Sequence, residues 1–317
     1  MLPSDIFNKR ILLSPLNWGM GHVTRCIPLV DILIRNGNEI FIACDKGQEA
    51  IFKQYFLDVH FINHAGYPFK FGKHGNFGLD LAKQFRQLNK RLVDEEKEVN
   101  QYIDEFQIDL IISDHRYGFN SKNIHSILLT HQVNLPIRWY EKWVQKIHFN
   151  YLKQFNEIWV PDTFDSDYSG SLSEPIANLE INYIGILSRF QLYEIPIIKT
   201  IEKTIIVSGP AVYAEKYAKD QLSSERNKDV NCVMILPESI ILTDVPSNFQ
   251  IQNSTNWKAC DQLILNSKKI ISRCGYSTLM DLGILKVPFE ITPTPGQREQ
   301  EYLFDLWNKK ALGQSSS

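Results

Sequence analysis

A glycine turn that leads into a histidine is the first feature of this sequence whose residue types can do chemistry. Gly19, Gly21 and His22 lie shortly after the apolar run 10–14. The glycines permit a tight turn and close approach of a ligand, and an imidazole can move a proton near neutral pH. Thr24 stands where a dinucleotide fingerprint has its third glycine, which disfavours a nicotinamide site. We interpret His22 as a general base; the alternative is that it caps its helix.

A second candidate is an acid–histidine pair at the end of another apolar run. Asp114 and His115 close the run 109–114. The carboxyl ends of parallel strands border the ligand crevice of an α/β sheet, so both residues point to that crevice. They either orient a substrate hydroxyl or join a structural hydrogen-bond network. No G-x-S-x-G elbow accompanies them, so a serine hydrolase triad is not supported.

Two further segments match known sites only in part. Residues 66–73 nearly form a Walker loop, but five residues separate its glycines and a histidine follows its lysine. Hydrolysis of a nucleotide through a P-loop is therefore disfavoured. Asp165 and Asp167 could chelate a divalent metal on a nucleotide diphosphate, but aspartates in polar loops more often form turns.

The second half of the chain carries three polar turns, each after an apolar run. They lie at 208–210, 273–278 and 292–297. The middle turn opens a helix whose free N–H groups and hydroxyls can hold a pyrophosphate. Asp281 follows on that helix, where a carboxylate can bind ribose hydroxyls. Three such turns on one edge of a parallel sheet predict a nucleotide-sugar pocket.

The segments between these turns alternate between short apolar runs and longer amphipathic ones. Such alternation predicts parallel sheets that are covered by helices on both faces. Strands are predicted at 10–14, 39–44, 58–63, 109–114, 126–130, 157–160, 203–208, 231–236, 249–252, 269–273 and 288–292, and helices at 22–35, 78–106, 211–225, 258–266, 277–285 and 298–309.

The strand–helix pattern stops near residues 186–200 and then restarts. We therefore predict an α/β fold with two Rossmann-like, doubly wound domains, 1–190 and 200–317, that face each other across a ligand cleft.

The composition excludes several classes of protein. With 317 residues, of which 44% are hydrophobic and 22% charged, the chain is neither disordered nor fibrous. A formal charge of -2 argues against a dedicated nucleic-acid binder. The five cysteines contain no C-x-x-C pair, which disfavours a disulfide framework or a cysteine zinc site. No apolar run approaches the length of a membrane span, so we predict a cytoplasmic protein.

Two motifs resemble one enzyme family. The pattern RCGYSTLMDLGILKVPFEITPTPGQREQEY is similar to the donor-binding segment of GT-B glycosyltransferases, in the family that contains the lipid-linked N-acetylglucosaminyl transferase of peptidoglycan synthesis. NWGMGHVTR resembles that family's N-terminal glycine loop, with His22 at the position of its histidine. Asp281 replaces the family's usual glutamate and Glu299 its usual glutamine, which leaves the donor sugar open.

The resemblance implies a role for each matched residue. His22 would be the catalytic base, and Asp281 would bind the ribose. Glu299 and Gln300 would read the sugar. The donor-binding residues it implies are Ser208, Gly209, Arg273, Gly275, Ser277, Thr278, Asp281, Glu299 and Gln300, and the acceptor-side candidates are Gly19, Gly21, Asp114 and His115.

The implied activity is inverting, metal-independent transfer of a sugar from a UDP-sugar to an acceptor hydroxyl. N-acetylglucosamine is one candidate sugar, and a glycan or lipid-linked molecule of cell-envelope synthesis is the implied acceptor. No cofactor is implied. GHVTRCIPLVDIL also resembles UDP-sugar hydrolases of the same fold. The alternatives are therefore a hydrolase and a non-catalytic nucleotide-sugar-binding protein.

Residues 134–155 allow two interpretations. The segment interleaves cations with aromatic rings, which suits peripheral docking on anionic lipid at the inner face of a membrane. The same residues also place Trp139, Trp143, Ile147 and Tyr151 at helical spacing, which is typical of a stripe buried in a protein core. The cations are Arg138, Lys142, Lys146 and Lys153. The other aromatic residues of the segment are Tyr140, Phe149 and Phe155.

Overall fold

The computed structural model describes residues 1–68, 77–137, 142–225 and 230–314. The chain divides into two compact units, Met1–Ser188 and Arg189–Ser317. Each unit is an α/β structure around its own parallel sheet.

The first unit is built on a seven-stranded sheet whose strands all run parallel, in the order β3-β2-β1-β4-β5-β6-β7. The central strands are continuous apolar runs because helices cover both faces of the sheet. Ile11, Leu12 and Leu13 of β1 are completely buried. The strands are β1 Arg10–Pro15, β2 Glu39–Cys44, β3 His60–Asn63, β4 Leu110–Asp114, β5 His125–Leu129, β6 Glu157–Val160 and β7 Ile181–Tyr183.

Four α-helices lie among the described residues of this unit. They are α1 Met20–Arg35, α2 Lys46–Tyr55, α3 Phe77–Phe106 and α4 Lys142–Leu152. α2 begins with a capping box in which the Asp45 side chain accepts from the Gln48 amide. α1 buries almost its whole second and third turns, so any polar residue there must find a partner inside the unit.

The second unit repeats the same plan on a smaller sheet. Its five parallel strands have the order β10-β9-β8-β11-β12. Its core contains Ile205, Met234 and Ile271 from three adjacent strands. The elements are β8 Lys203–Ile206, α5 Ala211–Glu225, β9 Cys232–Leu236, β10 Phe249–Asn253, α6 Trp257–Leu265, β11 Ile270–Arg273, α7 Tyr276–Leu285, β12 Phe289–Thr292 and α8 Arg298–Gln314.

The predicted fold class is confirmed. Both sheets have the doubly wound order, in which the chain moves outward from β1 and from β8 in both directions. Every strand predicted from the sequence is present within a few residues. α4 lies within the segment 134–155, for which helical spacing was predicted, and α2 and β7 are additional. All five cysteines are free and buried. Among the described residues, we find no helix with the length and apolar character needed to cross a bilayer.

The helix α4 corrects one prediction. The stripe proposed as core includes Trp143, but this side chain is 62% exposed, whereas His148 and Leu152 are buried. The burial pattern is therefore rotated relative to the predicted stripe. Trp139 and the neighbouring Arg138 and Tyr140 lie outside the described residues, as do residues 69–73 of the Walker-like segment 66–73.

Candidate active site

The reversal of strand order beside β1 decides where the first unit gathers its polar residues. β1 lies between β2 and β4, so the loops that follow β1 and β4 part from each other and leave room for a ligand at the carboxyl edge. Pro15 and Asp114 are register partners there, and the Leu16 amide donates to the Asp114 carbonyl at 3.0 Å. The two predicted motifs of this half therefore meet.

His22 lies on the first turn of α1. Gly19 occupies the N-cap position with φ +126°, a conformation that suits glycine, and no side chain caps the helix. The Nδ1 atom of His22 lies 3.0 Å from Oδ2 of Asp114. In the tautomer that has its proton on Nδ1, His22 donates this hydrogen bond to the carboxylate and Nε2 keeps its lone pair.

Asp114 is completely buried and holds two further groups. Arg25, one turn after His22 on α1, donates from Nε to Oδ1 at 2.8 Å, and its Nη2 makes a second contact with the same oxygen. Cys26 Sγ lies 3.6 Å from Oδ2. Burial alone would raise the pKa of Asp114, but Arg25 and then His22 outweigh it and lower that pKa, so the carboxylate is charged.

His115 belongs to a hydrogen-bond network that fixes its ring. Its Nδ1 lies 2.9 Å from the Thr130 hydroxyl, and its Nε2 lies 3.5 Å from the hydroxyl of Tyr117. The Tyr117 hydroxyl is 2.8 Å from Nδ1 of His148, whose Nε2 donates to the Gln132 carbonyl at 2.8 Å. Since His148 donates from Nε2, its Nδ1 accepts from Tyr117. This part of the site is a structural network.

The backbone at His115 has φ +60°, which is uncommon for a residue with a side chain. Its ring stands 6.1 Å from the His22 ring, in an edge-to-face arrangement. Backbone conformations of this kind concentrate at functional sites. The structure therefore brings His22, Asp114 and His115 together, with Gly19 and Gly21 beside them on the entry to α1.

Burial sets the charge state of the histidines. It lowers the pKa of His22, although the Asp114 carboxylate acts in the opposite direction. Burial also lowers the pKa of His115 well below its usual range and lowers that of His148 to about 4. All three imidazoles are therefore neutral near pH 7, and for His22 this is the form that can accept a proton.

A second buried charged cluster anchors the loop that carries His115. Glu95 on α3 accepts from Nε of Arg116 at 2.7 Å and from the Tyr67 hydroxyl at 2.5 Å. Its Oε1 is also 3.0 Å from Nε2 of His64. Burial alone would raise the pKa of Glu95, but Arg116 and these hydrogen bonds lower it. Because Arg116 follows His115 directly, Glu95 holds that loop against α3.

Sequence reasoning missed Arg25, His131, Glu95 and Arg116. One signal for Arg25 was present: it is the only charged residue in the segment 23–30 (VTRCIPLV), so a helix that buries this segment must bring an acid to it. Its partner lies 89 residues away and cannot be read from local spacing. His131, whose Nδ1 is 3.2 Å from Nη1 of Arg25, has no such signal.

The carboxyl edge of the second sheet carries the predicted donor residues. Gly209, after β8, has φ +100° and is exposed together with Ser208. Gly275 is the N-cap of α7 and makes no side-chain cap hydrogen bond, so the positive end of the helix dipole, with Ser277 and Thr278 on the first turn, lies at this edge. These features surround the point where β8 and β11 reverse the strand order.

Two hydroxyls at this edge are buried without a partner among the described residues, Oγ of Ser272 and Oγ1 of Thr294. The Thr294 oxygen is 3.8 Å from the position that a Cβ on Gly209 would occupy, so the loops after β8 and β12 are adjacent. Arg273 braces the edge: its Nη1 donates to the Pro293 carbonyl at 2.8 Å, and its guanidinium lies 4.1 Å from the Tyr217 ring centre.

Asp281 lies on the second turn of α7 and is already part of an ion pair. Its Oδ2 accepts from Nη1 of Arg189 at 2.6 Å, and Nε of Arg189 donates to Oδ1 of Asp261 at 2.6 Å. The Asp281 side chain is 15% exposed. The carboxylate is therefore held in place by Arg189, whatever else it binds.

Glu299 and Gln300, which were predicted to contact the sugar together, make different contacts in the structure. Oε1 of Gln300 accepts from the Thr294 amide at 2.8 Å, and Nε2 of Gln300 donates to Oε1 of Gln297 at 2.6 Å. Gln300 thus shapes the loop after β12. Glu299 is half-buried, and its charge contributes, after burial, to raising the pKa of Cys274 to about 12.

The aspartates at 165 and 167 have the contacts of a turn. The Thr163 hydroxyl donates to Oδ2 of Asp167 at 2.8 Å. Within the described part of the chain, no three His, Cys, Asp or Glu side chains are grouped so that they could hold a metal ion.

Comparison with known proteins identifies the fold. No family model and no curated protein matches the sequence. Among solved structures, the glycotransferase of kitacinnamycin matches with TM-score 0.64 and 12% identity over 94% of this chain and 84% of its own. MurG of Acinetobacter baumannii matches with TM-score 0.54 and 12% identity, over 95% and 83%.

The spinosyn rhamnosyltransferase SpnG, solved in complex with thymidine diphosphate, matches with TM-score 0.56 and 16% identity over 95% of this chain and 91% of its own. The kitacinnamycin and spinosyn proteins are glycosyltransferases by name. The chain therefore has the GT-B fold of two Rossmann-like domains that the sequence predicted.

We expect the free energy of unfolding to decrease as the pH falls from 6.5 toward 4. The folded-state pKa of His148 lies below its value of 6.5 in the unfolded chain, so the unfolded state binds more protons in this window and stability is lost on acidification. In His148→Gln, on the order of 3 kcal/mol of this pH dependence should disappear. Denaturant titrations at a series of pH values measure it.

His60→Gln, at a histidine whose side chain is 58% exposed, is the matched control for replacement of a histidine. Equal slopes for the wild type and His148→Gln would show that His148 is not buried in its neutral form.

Proposed function

We propose that this protein is a glycosyltransferase that moves a sugar from a nucleotide-sugar donor to an acceptor hydroxyl with inversion at the anomeric carbon. The observation that carries the proposal is the hydrogen bond between His22 and the buried Asp114 at the strand-order reversal of the first unit. The pair occurs in a chain whose fold is shared with solved structures that are named as glycosyltransferases.

The proposed chemical step begins at Nε2 of His22. With Nδ1–H donated to Asp114, Nε2 takes the proton from the acceptor hydroxyl as its oxygen attacks the anomeric carbon. The bond from that carbon to the diphosphate oxygen breaks, and the electron pair leaves with the nucleoside diphosphate. The imidazolium that forms is stabilised by the Asp114 carboxylate. General base catalysis of this kind contributes about 10²–10⁴ in rate.

In the proposal the second unit binds the donor. The first turn of α7 presents N–H groups at the positive end of a helix dipole, and Ser277 and Thr278 add hydroxyls. The unpartnered hydroxyl of Thr294 lies beside the Gly209 turn. Such donors can stabilise the charge that develops on a leaving diphosphate, so the proposed transfer does not rely on a metal ion.

The donor is proposed to be a UDP-sugar, with N-acetylglucosamine as one candidate sugar. The resemblance of the α7 segment to a lipid-linked N-acetylglucosaminyl transferase supports uridine. Because SpnG was solved in complex with thymidine diphosphate, thymidine is the second nucleoside to test, beside uridine. The ribose would contact Asp281, whose carboxylate Arg189 holds in one orientation.

The acceptor is proposed to be a glycan or a lipid-linked molecule bound by the first unit. If water takes the place of this acceptor, the same base and donor residues make the protein a nucleotide-sugar hydrolase. A binding protein without catalysis would have no need for the His22–Asp114 pair.

Release of nucleoside diphosphate from a panel of UDP- and TDP-sugars, with and without acceptor extract, tests the function. We expect release that depends on acceptor, and His22→Ala should lower kcat at least about 10²-fold with donor affinity nearly unchanged, because the base is lost while the donor site is intact. His60→Ala, at an exposed histidine, is the matched control.

Release without acceptor would make the protein a hydrolase, and binding without release would make it a sensor. Wild-type kcat in His22→Ala would remove His22 from the mechanism.

We expect Asp281→Ala to weaken UDP binding about 10- to 100-fold, because a charge-assisted hydrogen bond to the ribose contributes roughly 1.5–3 kcal/mol. Isothermal titration calorimetry with UDP measures this. Asp305→Ala, an exposed carboxylate on α8, should bind UDP like the wild type. If Asp281→Ala lowers only the melting temperature, the residue serves its ion pair with Arg189 alone.

We also propose that α4 docks on anionic lipid, which would bring the enzyme to a lipid-linked acceptor. Its exposed face carries Lys142, Trp143 and Lys146, and Lys153 follows the helix over the Phe149 ring at 4.3 Å. The opposite face is buried at His148 and Leu152, which leaves the cations and Trp143 directed to solvent. A tryptophan among lysines is the pattern of an interfacial helix.

Flotation with anionic vesicles at low and high salt tests the docking. We expect salt-sensitive binding that the double variant Lys142→Glu with Lys146→Glu abolishes, since each lysine near the surface contributes about 1 kcal/mol. The same reversal at Lys216 and Lys219, two exposed lysines of α5, should change binding little. Absence of binding at low salt would contradict the proposal and favour a water-soluble acceptor.

A further inference from the structure

Arg25 is a buried cation that the proposed mechanism does not use. Its side chain is 2% exposed, and it lies three residues after His22 on the same face of α1. A charge in this position is costly unless it is paired, and Asp114 is its partner. The question is what the guanidinium does to His22, which shares that partner.

The three side chains meet at one carboxylate. Nε and Nη2 of Arg25 both contact Oδ1 of Asp114, which leaves Oδ2 for Nδ1 of His22. Arg25 therefore anchors Oδ1 and His22 holds Oδ2, so the two side chains together set the orientation of the carboxylate.

The same guanidinium also lies against His22 itself. Nη2 of Arg25 is 2.9 Å from Nδ1 of His22. When Nδ1 donates to Asp114, it cannot also accept from Arg25. When His22 gains a second proton, two cations stand in contact and share one carboxylate. The imidazolium is therefore less stable here than in a histidine–aspartate pair without the arginine.

None of the other groups named here that face His22 supplies the permanent positive charge that Arg25 places beside the imidazole. Asp114, at the end of β4, favours the imidazolium, while Arg25 on α1 and His131 after β5 oppose it. His115, also after β4, stands edge-to-face at 6.1 Å and is fixed by its own hydrogen bonds. Among these groups, Arg25 is the one permanent positive charge in contact with the imidazole.

We propose that Arg25 is a positioning residue that orients Asp114 toward His22 and keeps the His22 imidazole neutral. Its role as an aid to a catalytic base rests on the proposed function, but its effect on His22 does not. The charge on Arg25 keeps the base in its working form at pH values where an unopposed histidine–aspartate pair would already be protonated. The same charge makes His22 a weaker base, and Asp114 offsets this effect because it stabilises the imidazolium once it forms.

Proton NMR titration of the histidine ring signals tests the proposal without any substrate. The His22 signal is assigned by its absence in His22→Gln, and the exposed His60 signal is the internal reference. In Arg25→Gln, which removes the charge but can still donate to Asp114, we expect the His22 titration midpoint to rise by about 1 pH unit or more. In Arg25→Lys, which keeps the charge, the midpoint should stay close to that of the wild type.

An unchanged midpoint in folded Arg25→Gln, or equal shifts in Arg25→Gln and Arg25→Lys, would overturn the proposal and leave Arg25 a structural partner of Asp114. If Arg25→Gln does not fold, the double variant Arg25→Gln with Asp114→Asn, which removes the cation together with its partner, is titrated against Asp114→Asn. A higher His22 midpoint in the double variant supports the proposal, and an equal midpoint contradicts it. If the enzyme turns over a nucleotide sugar, the acidic limb of kcat/KM should move with the NMR midpoint. If the wild type turns over none of the UDP- and TDP-sugars, the proposed function is refuted, but the result of the NMR titration is unaffected.

Discussion

A single buried carboxylate, Asp114, is the constraint around which the first unit is organised. Moving an isolated carboxylate out of water costs several kcal/mol, and that cost is offset only by close partners. Arg25 and His22 supply those partners from the first turns of α1, and β4 supplies the acid. Removal of Arg25 or Asp114 alone would leave an uncompensated charge in the core, so the pair ties the position of α1 to the edge of the sheet. The functional histidine is held by the same contact that satisfies the buried charge.

The sheet topology explains why these residues can meet. In a parallel sheet, all carboxyl ends lie on one edge, and the reversal of strand order beside β1 opens a gap between the loops that follow β1 and β4. The second unit repeats this arrangement at β8 and β11. There, a helix N-terminus and two buried hydroxyls that have no partner among the described residues take the place of the acid–histidine pair. The same geometry thus presents a proton acceptor in one unit and a set of hydrogen-bond donors in the other. The proposed transfer, in which a hydroxyl is deprotonated and a diphosphate leaves, uses both sets of groups.

Much of this arrangement was predictable from the sequence. Apolar runs that end in polar residues locate β1, β4, β8 and β11, and with them His22, Asp114 and the Gly275 turn. The pairing of Arg25 with Asp114 spans 89 residues and depends on how α1 packs, so spacing along the chain does not contain it. The Arg189–Asp281 pair was missed for the same reason. The face of α4 was misjudged because aromatic residues suit a core and an interface equally, and only tertiary packing decides between them.

The central claim is that Asp114 holds His22 in the tautomer with the proton on Nδ1 and the lone pair on Nε2. Nitrogen-15 chemical shifts of the labelled imidazoles report this directly, with His22 assigned by its loss in His22→Gln. At pH 7, above the lowered pKa of His22, we predict a protonated Nδ1 and a bare Nε2, and a loss of that preference in Asp114→Asn. A proton on Nε2 in the wild type, with Nδ1 accepting from Arg25 instead, would contradict the account, because His22 could then not take a proton from an acceptor.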